Sequence, residues 1–84
     1  MNELELLKKK IKYRSSYRGT KEMDLLLSSF VSKYIDTLSG LELKKLDDFV
    51  KCSDEDIGNF FLKKIPIQYF DDKKILDLFI RHKV

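Results

Sequence analysis

The chain has 84 residues, of which 43% are hydrophobic and 37% charged, and its formal net charge is +3. This length suits one domain of modest stability, and the hydrophobic content excludes a disordered chain. The single cysteine, Cys52, excludes an internal disulfide and indicates a reducing compartment. No apolar run exceeds three residues, so a membrane-spanning segment is excluded too. Because the first residues are partly acidic and unlike a secretory signal or transit peptide, we expect a bacterial cytoplasmic protein.

Two helices are predicted in the first half of the chain, over residues 3–13 and 21–37. The first has Leu4, Leu7 and Ile11 at helical spacing, and two serines and Gly19 follow it as a turn. We expect Gly40 to end the second helix. That helix carries the clearest apolar stripe of the chain, formed by Met23, Leu26, Leu27, Phe30, Tyr34 and Leu38.

Three shorter helices are predicted in the second half, and each has a polar residue suited to cap its start. Ser39 with Glu42 forms a capping-box pattern, Ser53 repeats it, and Asp71 or Asp72 precedes the last helix. Pro66 is expected to end the fourth helix, and residues 81–84 to fray. The expected buried faces are Leu43, Leu46, Phe49 and Val50; Ile57, Phe60, Phe61 and the aliphatic part of Lys64; and Ile75, Leu76, Leu78, Phe79 and Ile80.

The fold class that follows is all-α, a compact five-helix bundle in a single domain over residues 1–84. No segment alternates apolar and polar residues as a strand does. The short connections favour helices that pack against their sequence neighbours. One core is expected to contain Leu26, Phe30, Leu46, Phe49, Ile57 and Phe61.

Charge is distributed unevenly along the chain. The segment 6–21 contains seven lysines and arginines and no acid, whereas residues 42–56 are mainly acidic. Tyr13 and Tyr17 lie among the basic residues, and such aromatics can stack on single-stranded bases. No nucleic-acid recognition motif accompanies them. A small basic nucleic-acid-binding protein is therefore the second hypothesis. A solvated helix face is the commoner meaning of one basic segment.

Catalytic and metal-binding patterns are missing from the sequence. The one histidine, His82, and the one cysteine, Cys52, are thirty residues apart, which favours neither a zinc site nor a Cys-His nucleophile pair. The acidic run 54–56 lacks the spacing of a calcium loop and suits a helix start. We therefore expect no catalytic residue, no metal and no enzymatic activity of the chain by itself.

The segment Arg18-Gly19-Thr20-Lys21-Glu22 is the most informative part of the sequence. Gly19 can serve as N-cap of the second helix, with Glu22 reaching back to a free backbone N–H. That explanation leaves Arg18 without a role, and we expect its side chain to point outward with little cover. Arg18 and Glu22 could then offer a donor and an acceptor to a partner, with Gly19 allowing close approach. On chemistry alone, helix capping remains the stronger explanation.

The run Tyr17-Arg18-Gly19-Thr20-Lys21-Glu22-Met23-Asp24-Leu25-Leu26-Leu27 resembles the Arg-Gly-x-x-Glu signature of the FAD assembly factor SdhE family of succinate dehydrogenase. Downstream, Phe30, Tyr34 and the acidic segment 52–60 are similar to the family too, so the resemblance covers about residues 10–82. Phe60 departs from it, because many members carry Trp there. Some members have also been labelled antitoxins, so the resemblance brings an antitoxin-like regulatory protein as an alternative, which no residue of this chain specifically supports.

This resemblance implies a protein that binds the flavoprotein subunit of succinate dehydrogenase, or of fumarate reductase, and promotes covalent attachment of FAD. Arg18, Gly19 and Glu22 would face the partner, with Tyr17 and Asp24 beside them. FAD and the attacking histidine would belong to the partner, and the chain would hold no cofactor tightly. The chain would contribute by holding the partner's domains in the geometry that favours attack of the histidine on FAD. We further expect no specific nucleic acid partner, no membrane insertion, and a monomer when the chain is free.

Overall fold

A computed structural model describes residues 2–82, and these form five α-helices and no strand. The predicted all-α, five-helix fold is therefore confirmed for this part of the chain. The helices are α1 (Glu3–Ser15), α2 (Lys21–Tyr34), α3 (Gly40–Val50), α4 (Asp54–Lys63) and α5 (Lys73–Arg81).

All five helices begin after a polar side chain that accepts a hydrogen bond from a backbone N–H three residues on, which satisfies one of the free donors of the first turn. Ser39 and Glu42 form the complete reciprocal capping box that was predicted. The predicted cap at Gly19 is wrong, because Thr20 takes that position and accepts from the N–H of Met23. The five caps are Asn2, Thr20, Ser39, Ser53 and Asp72.

The ends of the first two helices differ from the prediction. Helix α1 continues to Ser15, whose buried hydroxyl donates to the carbonyl of Lys12. Helix α2 stops at Tyr34, and the N–H of Thr37 returns to the carbonyl of Tyr34 in a turn. Gly40 does not end α2; it is the first residue of α3, because Ser39 caps that helix immediately before it.

The last two helices also end differently. Helix α4 ends at Lys63, before Pro66, because Lys64 adopts a left-handed conformation with φ 59°. The side chain of Lys64 is exposed, so its predicted place on the buried face is wrong. Helix α5 includes Arg81, and His82 after it is buried, so fraying does not begin at Arg81. Residues 83 and 84 lie outside the described part of the chain.

Three phenylalanines from three helices form the centre of the core. Phe30, Phe49 and Phe79 are each fully buried, with ring centroids 4.9–6.1 Å apart in edge-on contacts. Edge-on aromatic pairs contribute about 0.5–1.5 kcal/mol beyond the area that they bury. Of the other predicted core residues, Leu46 and Ile57 are fully buried, whereas Leu26 and Phe61 are partly buried against the same core.

Helix α1 packs against both α2 and α3, and α3 also packs against α5. The radius of gyration over Cα atoms is 11.9 Å, close to the roughly 12 Å expected of a folded domain of this length. This packing brings the connection between α1 and α2 alongside the connection between α3 and α4. We call the place where these two connections meet the junction, and Arg18 and Gly19 lie there.

Candidate functional site

The guanidinium of Arg18 is buried in the junction, and its side chain is only 11% exposed. Nη1 donates to the carbonyls of Arg14 and Val50, both at 2.7 Å, and Nη2 donates to the carbonyl of Cys52 at 2.7 Å. Nε donates to Oδ1 of Asp54 at 2.6 Å. The prediction that Arg18 points outward is wrong.

The burial of Arg18 has a simple physical cause. The last carbonyls of α1 and α3 lack partners within their own helices and lie at the negative ends of the helix dipoles. Arginine has five N–H donors in a rigid planar fork, so one side chain can satisfy several of these carbonyls at once. Arg18 therefore acts as a shared C-terminal cap that links α1 to α3.

Asp54, the first residue of α4, completes this network. Its Oδ2 accepts the N–H of Gly19 at 2.7 Å while its Oδ1 accepts from Arg18. Burial acts to raise the pKa of the Asp54 carboxyl, but the hydrogen bonds from Gly19 and Arg18 outweigh it and hold the pKa below its ordinary value. The carboxylate is thus ionised and fixes the loop that contains Tyr17, Arg18 and Gly19, here called the motif loop, against the start of α4.

The contact with Asp54 leaves little room for a side chain at Gly19. A Cβ placed on Gly19 would lie 2.9 Å from Oδ2 of Asp54, closer than real Cβ atoms approach an oxygen. In this structure, the group that approaches Gly19 closely is therefore the carboxylate of Asp54, which belongs to the same chain. A substitution at Gly19 consequently tests the geometry of the loop together with any docking role.

Tyr17 is held in an unusual conformation on the outside of the junction. Its φ is 57°, in the left-handed region that costs a non-glycine residue roughly 1–2 kcal/mol, and the residue is 83% exposed. The hydrogen bonds of Arg18 and Gly19 on its C-terminal side hold the loop in place. Its ring lies 5.9 Å from that of Tyr13 and otherwise faces solvent.

Glu22 and Asp24 lie in the first turn of α2. Glu22 is exposed and its side chain makes no hydrogen bond or ion pair with the described residues, so the predicted bond back to the helix start is not formed. Asp24 is half-buried. Both line a shallow depression on α2 together with Lys21, Leu25 and Ser28.

Sequence reasoning missed the two acids that hold the junction together. The sequence pattern indicates only a helix start at Asp54 and no role for Asp47. Asp47 is 8% exposed and pairs with Arg14 at 2.5 Å and with Lys51 at 3.2 Å. Arg14 and Arg18 are separated from these acids by 33 and 36 residues, so no local spacing could have revealed the pairs.

The chemistry offered by this junction is that of a contact surface. Over residues 2–82, no group of three or more His, Cys, Asp or Glu side chains is arranged to hold a metal ion. None of the helices described is both long and apolar enough to cross a membrane. The site combines a braced backbone with an exposed aromatic ring and an exposed carboxylate, presented by a small all-helical protein.

The model of the Sdh5 family, described as flavinator of succinate dehydrogenase, matches residues 9–83, and the chain belongs to this family. The resemblance inferred from the motif and its surroundings is therefore confirmed.

Curated relatives agree with the family match. A Dictyostelium discoideum protein named succinate dehydrogenase assembly factor 2, mitochondrial, is 35% identical over 98% of this chain and 58% of its own length. The FAD assembly factor SdhE of Acetobacter pasteurianus is 26% identical over 79% of this chain and 61% of its own length. A Komagataella phaffii assembly factor 2 is 36% identical over 89% of this chain and 42% of its own length. The chain thus spans about two fifths to three fifths of these relatives. No solved structure matches it significantly.

Proposed function

We propose that this chain binds the flavoprotein subunit of succinate dehydrogenase and promotes the covalent attachment of FAD to that subunit. Membership in the flavinator family and the names of the relatives support this function. The structural observation that carries it is Tyr17, an exposed aromatic ring held in an unfavourable backbone conformation by a buried network. Exposed aromatic residues on a rigid support are typical of protein interfaces.

The motif residues divide into two roles in this proposal. Tyr17, Gly19, Glu22 and Asp24 lie on the side that faces the flavoprotein. Glu22 supports this assignment because it is exposed and is not used by the described part of its own chain. Arg18 contributes as a positioning residue, since its guanidinium is directed into the junction and fixes the loop that presents the others.

The chain contributes orientation to the reaction and no reacting group. Both FAD and the histidine that becomes linked to it belong to the partner, and holding the two in the productive arrangement lowers the entropic part of the barrier. The chain is accordingly not an enzyme and holds no FAD tightly. Its only thiol, Cys52, is half-buried, and burial together with the nearby Asp56 carboxylate raises its pKa, which disfavours the nucleophilic thiolate.

Three finer features complete the proposal. The flavoprotein subunit of fumarate reductase is a second partner, because it would present the same type of FAD site. The free chain is a monomer. Its location is the bacterial cytoplasm, which agrees with the bacterial relative, whereas the eukaryotic relatives are named mitochondrial.

The test is reconstitution with the purified apo flavoprotein subunit, FAD and this chain, followed by in-gel flavin fluorescence after denaturation. We expect the chain to increase the covalent flavin signal and Glu22→Ala to reduce that increase. Glu55→Ala is the matched control, because both glutamates are exposed second residues of their helices and face equivalent helix dipoles. An equal effect of the two variants would remove Glu22 from the docking site, and no effect of the wild-type chain would refute the function.

A further inference from the structure

The outward face of α1 forms a second feature that the motif does not include. Residues at positions 6, 9, 10 and 13 lie on one side of the helix, and residue 17 continues that side just beyond its end. The other side, which includes Leu7 and Ile11, packs toward the core. We name this surface the basic aromatic ridge, and its members are Leu6, Lys9, Lys10, Tyr13 and Tyr17.

The ridge is open to solvent, and its two lysines form no ion pair with the described residues. Tyr13 is 72% exposed and Leu6 is 49% exposed. Two other cations of α1 are paired, Lys8 with Asp36 at 2.9 Å and Arg14 with an acid of α3. Among residues 2–82, no carboxylate lies within 4 Å of Lys9 or Lys10. These two lysines are therefore available to an external acidic group.

The two tyrosines favour a protein ligand over a nucleic acid. Their centroids are 5.9 Å apart and the ring planes are tilted by 53°, so each ring covers part of the other. Proteins that bind single strands set aromatic side chains along a positively charged groove that follows the strand, whereas these tyrosines lie on the outward side of a single helix and just beyond its end. Tilted tyrosines beside an exposed leucine instead resemble the mixed apolar and polar contacts of a protein interface.

We propose that the basic aromatic ridge binds an acidic surface of the flavoprotein partner, a role that rests on the function proposed above. Tyr17 belongs both to the ridge and to the motif loop, so one continuous contact would extend from the start of α2 along the outward face of α1. The two lysines accelerate encounter with the acidic surface by electrostatic attraction, and the tyrosines supply short-range packing once contact is made.

The charge component is tested with Lys9→Glu/Lys10→Glu in association kinetics with the purified flavoprotein subunit. We expect association at low ionic strength to slow by about tenfold or more, with the difference shrinking at high ionic strength because salt screens exposed charges. Lys44→Glu/Lys45→Glu is the matched control, since it makes the same change in net charge at two adjacent exposed positions on α3. Circular dichroism melting verifies that both double variants are folded.

The aromatic component is tested with Tyr13→Ala, which we expect to accelerate dissociation from the subunit. The control is Tyr69→Ala, which removes a comparably exposed tyrosine between α4 and α5.

If the wild-type chain binds but the α1 and α3 charge variants lose association equally, the ridge has no specific role while the proposed function stands. If the wild-type chain does not bind the subunit, the proposed function itself fails. Tight RNA binding at high ionic strength, or salt-sensitive self-association that the α1 variant abolishes, would replace the ridge proposal with those partners.

Discussion

At the scale of single residues, Arg18 shows how a motif residue can act through structure. Its guanidinium joins the ends of α1 and α3 to the start of α4, with four hydrogen bonds of 2.6–2.7 Å. An arginine that has no role in helix capping within its own segment is expected to face solvent, yet here the side chain is directed into the junction. Loss of function on changing it therefore has to be separated from loss of stability.

We predict that Arg18→Ala lowers the free energy of unfolding by about 2–4 kcal/mol, because buried carbonyls and Asp54 lose their donor. Urea denaturation of purified variants measures this effect. Arg81→Ala, at an exposed arginine, should change stability by no more than about 0.5 kcal/mol. If Arg18→Ala unfolds at the same urea concentration as the wild type, the hydrogen bonds of Arg18 do not contribute to stability. A direct contact between the guanidinium and the partner would then be the better explanation of its place in the motif.

For Tyr17, we predict opposite effects on stability and on function. Tyr17→Gly relieves the left-handed strain, which outweighs the greater flexibility of glycine in the unfolded chain, so the free energy of unfolding should rise by about 0.5–1 kcal/mol. Covalent flavin formation on the partner should fall, because the exposed ring is gone. The control is Tyr13→Gly, which places glycine within α1 and should lower stability by about 1 kcal/mol. A Tyr17→Gly variant with full activity would show that the ring is not used for docking.

At the scale of helices, the end of α5 is attached to α2 through His82. The imidazole is buried, its Nε2 lies 2.9 Å from Oγ of Ser29, and its ring packs edge-on against Phe30. Burial, with a smaller contribution from the nearby charge of Lys33, lowers the pKa of His82 below its ordinary value of 6.5. The neutral imidazole is thus the form that the fold accommodates.

The sign of the pH dependence follows from that lowered pKa. The contribution of His82 to stability is fully present above the unfolded-state pKa of 6.5 and is lost as the pH falls from there toward the lower folded-state pKa. We expect the free energy of unfolding to decrease between about pH 7 and pH 5. His82→Gln should have a flatter profile in the same urea titrations. Identical slopes for the two proteins would mean that protonation of His82 is not linked to folding.

At the scale of the whole molecule, the core depends on a small number of aromatic side chains. Phe30 contacts Tyr34, Phe49, Phe79 and His82, so it links the three helices α2, α3 and α5. We predict that Phe30→Ala lowers the free energy of unfolding by about 3–5 kcal/mol, a large share of the 5–15 kcal/mol typical of a domain. Thermal melting followed by circular dichroism measures the loss. Phe60→Ala, at a partly buried position, should cost clearly less, and equal losses would contradict this picture of the core.

Local patterns were sufficient to predict the helices and most of the core. A side-chain cap acts on a backbone group three residues away, and an apolar stripe repeats every three or four residues, so both signals lie within one helix. Ser39, Ser53 and Asp72 cap the helices that they were expected to cap, and the predicted face of α3 is buried in full. The prediction for Gly40 is wrong because a glycine after a capping serine starts a helix as readily as it ends the preceding one.

The amino-acid sequence by itself thus determined the number of helices, most of their buried faces and the family signature at residues 18–22. Only the tertiary structure decided what the signature residues do. Arg18 and Gly19 are bound to groups 32–36 residues away, and contacts between such distant residues depend on how α1 packs against α3 and on where α4 begins. A buried guanidinium needs several acceptors in one place, and no spacing along the chain indicates that three helix ends converge there.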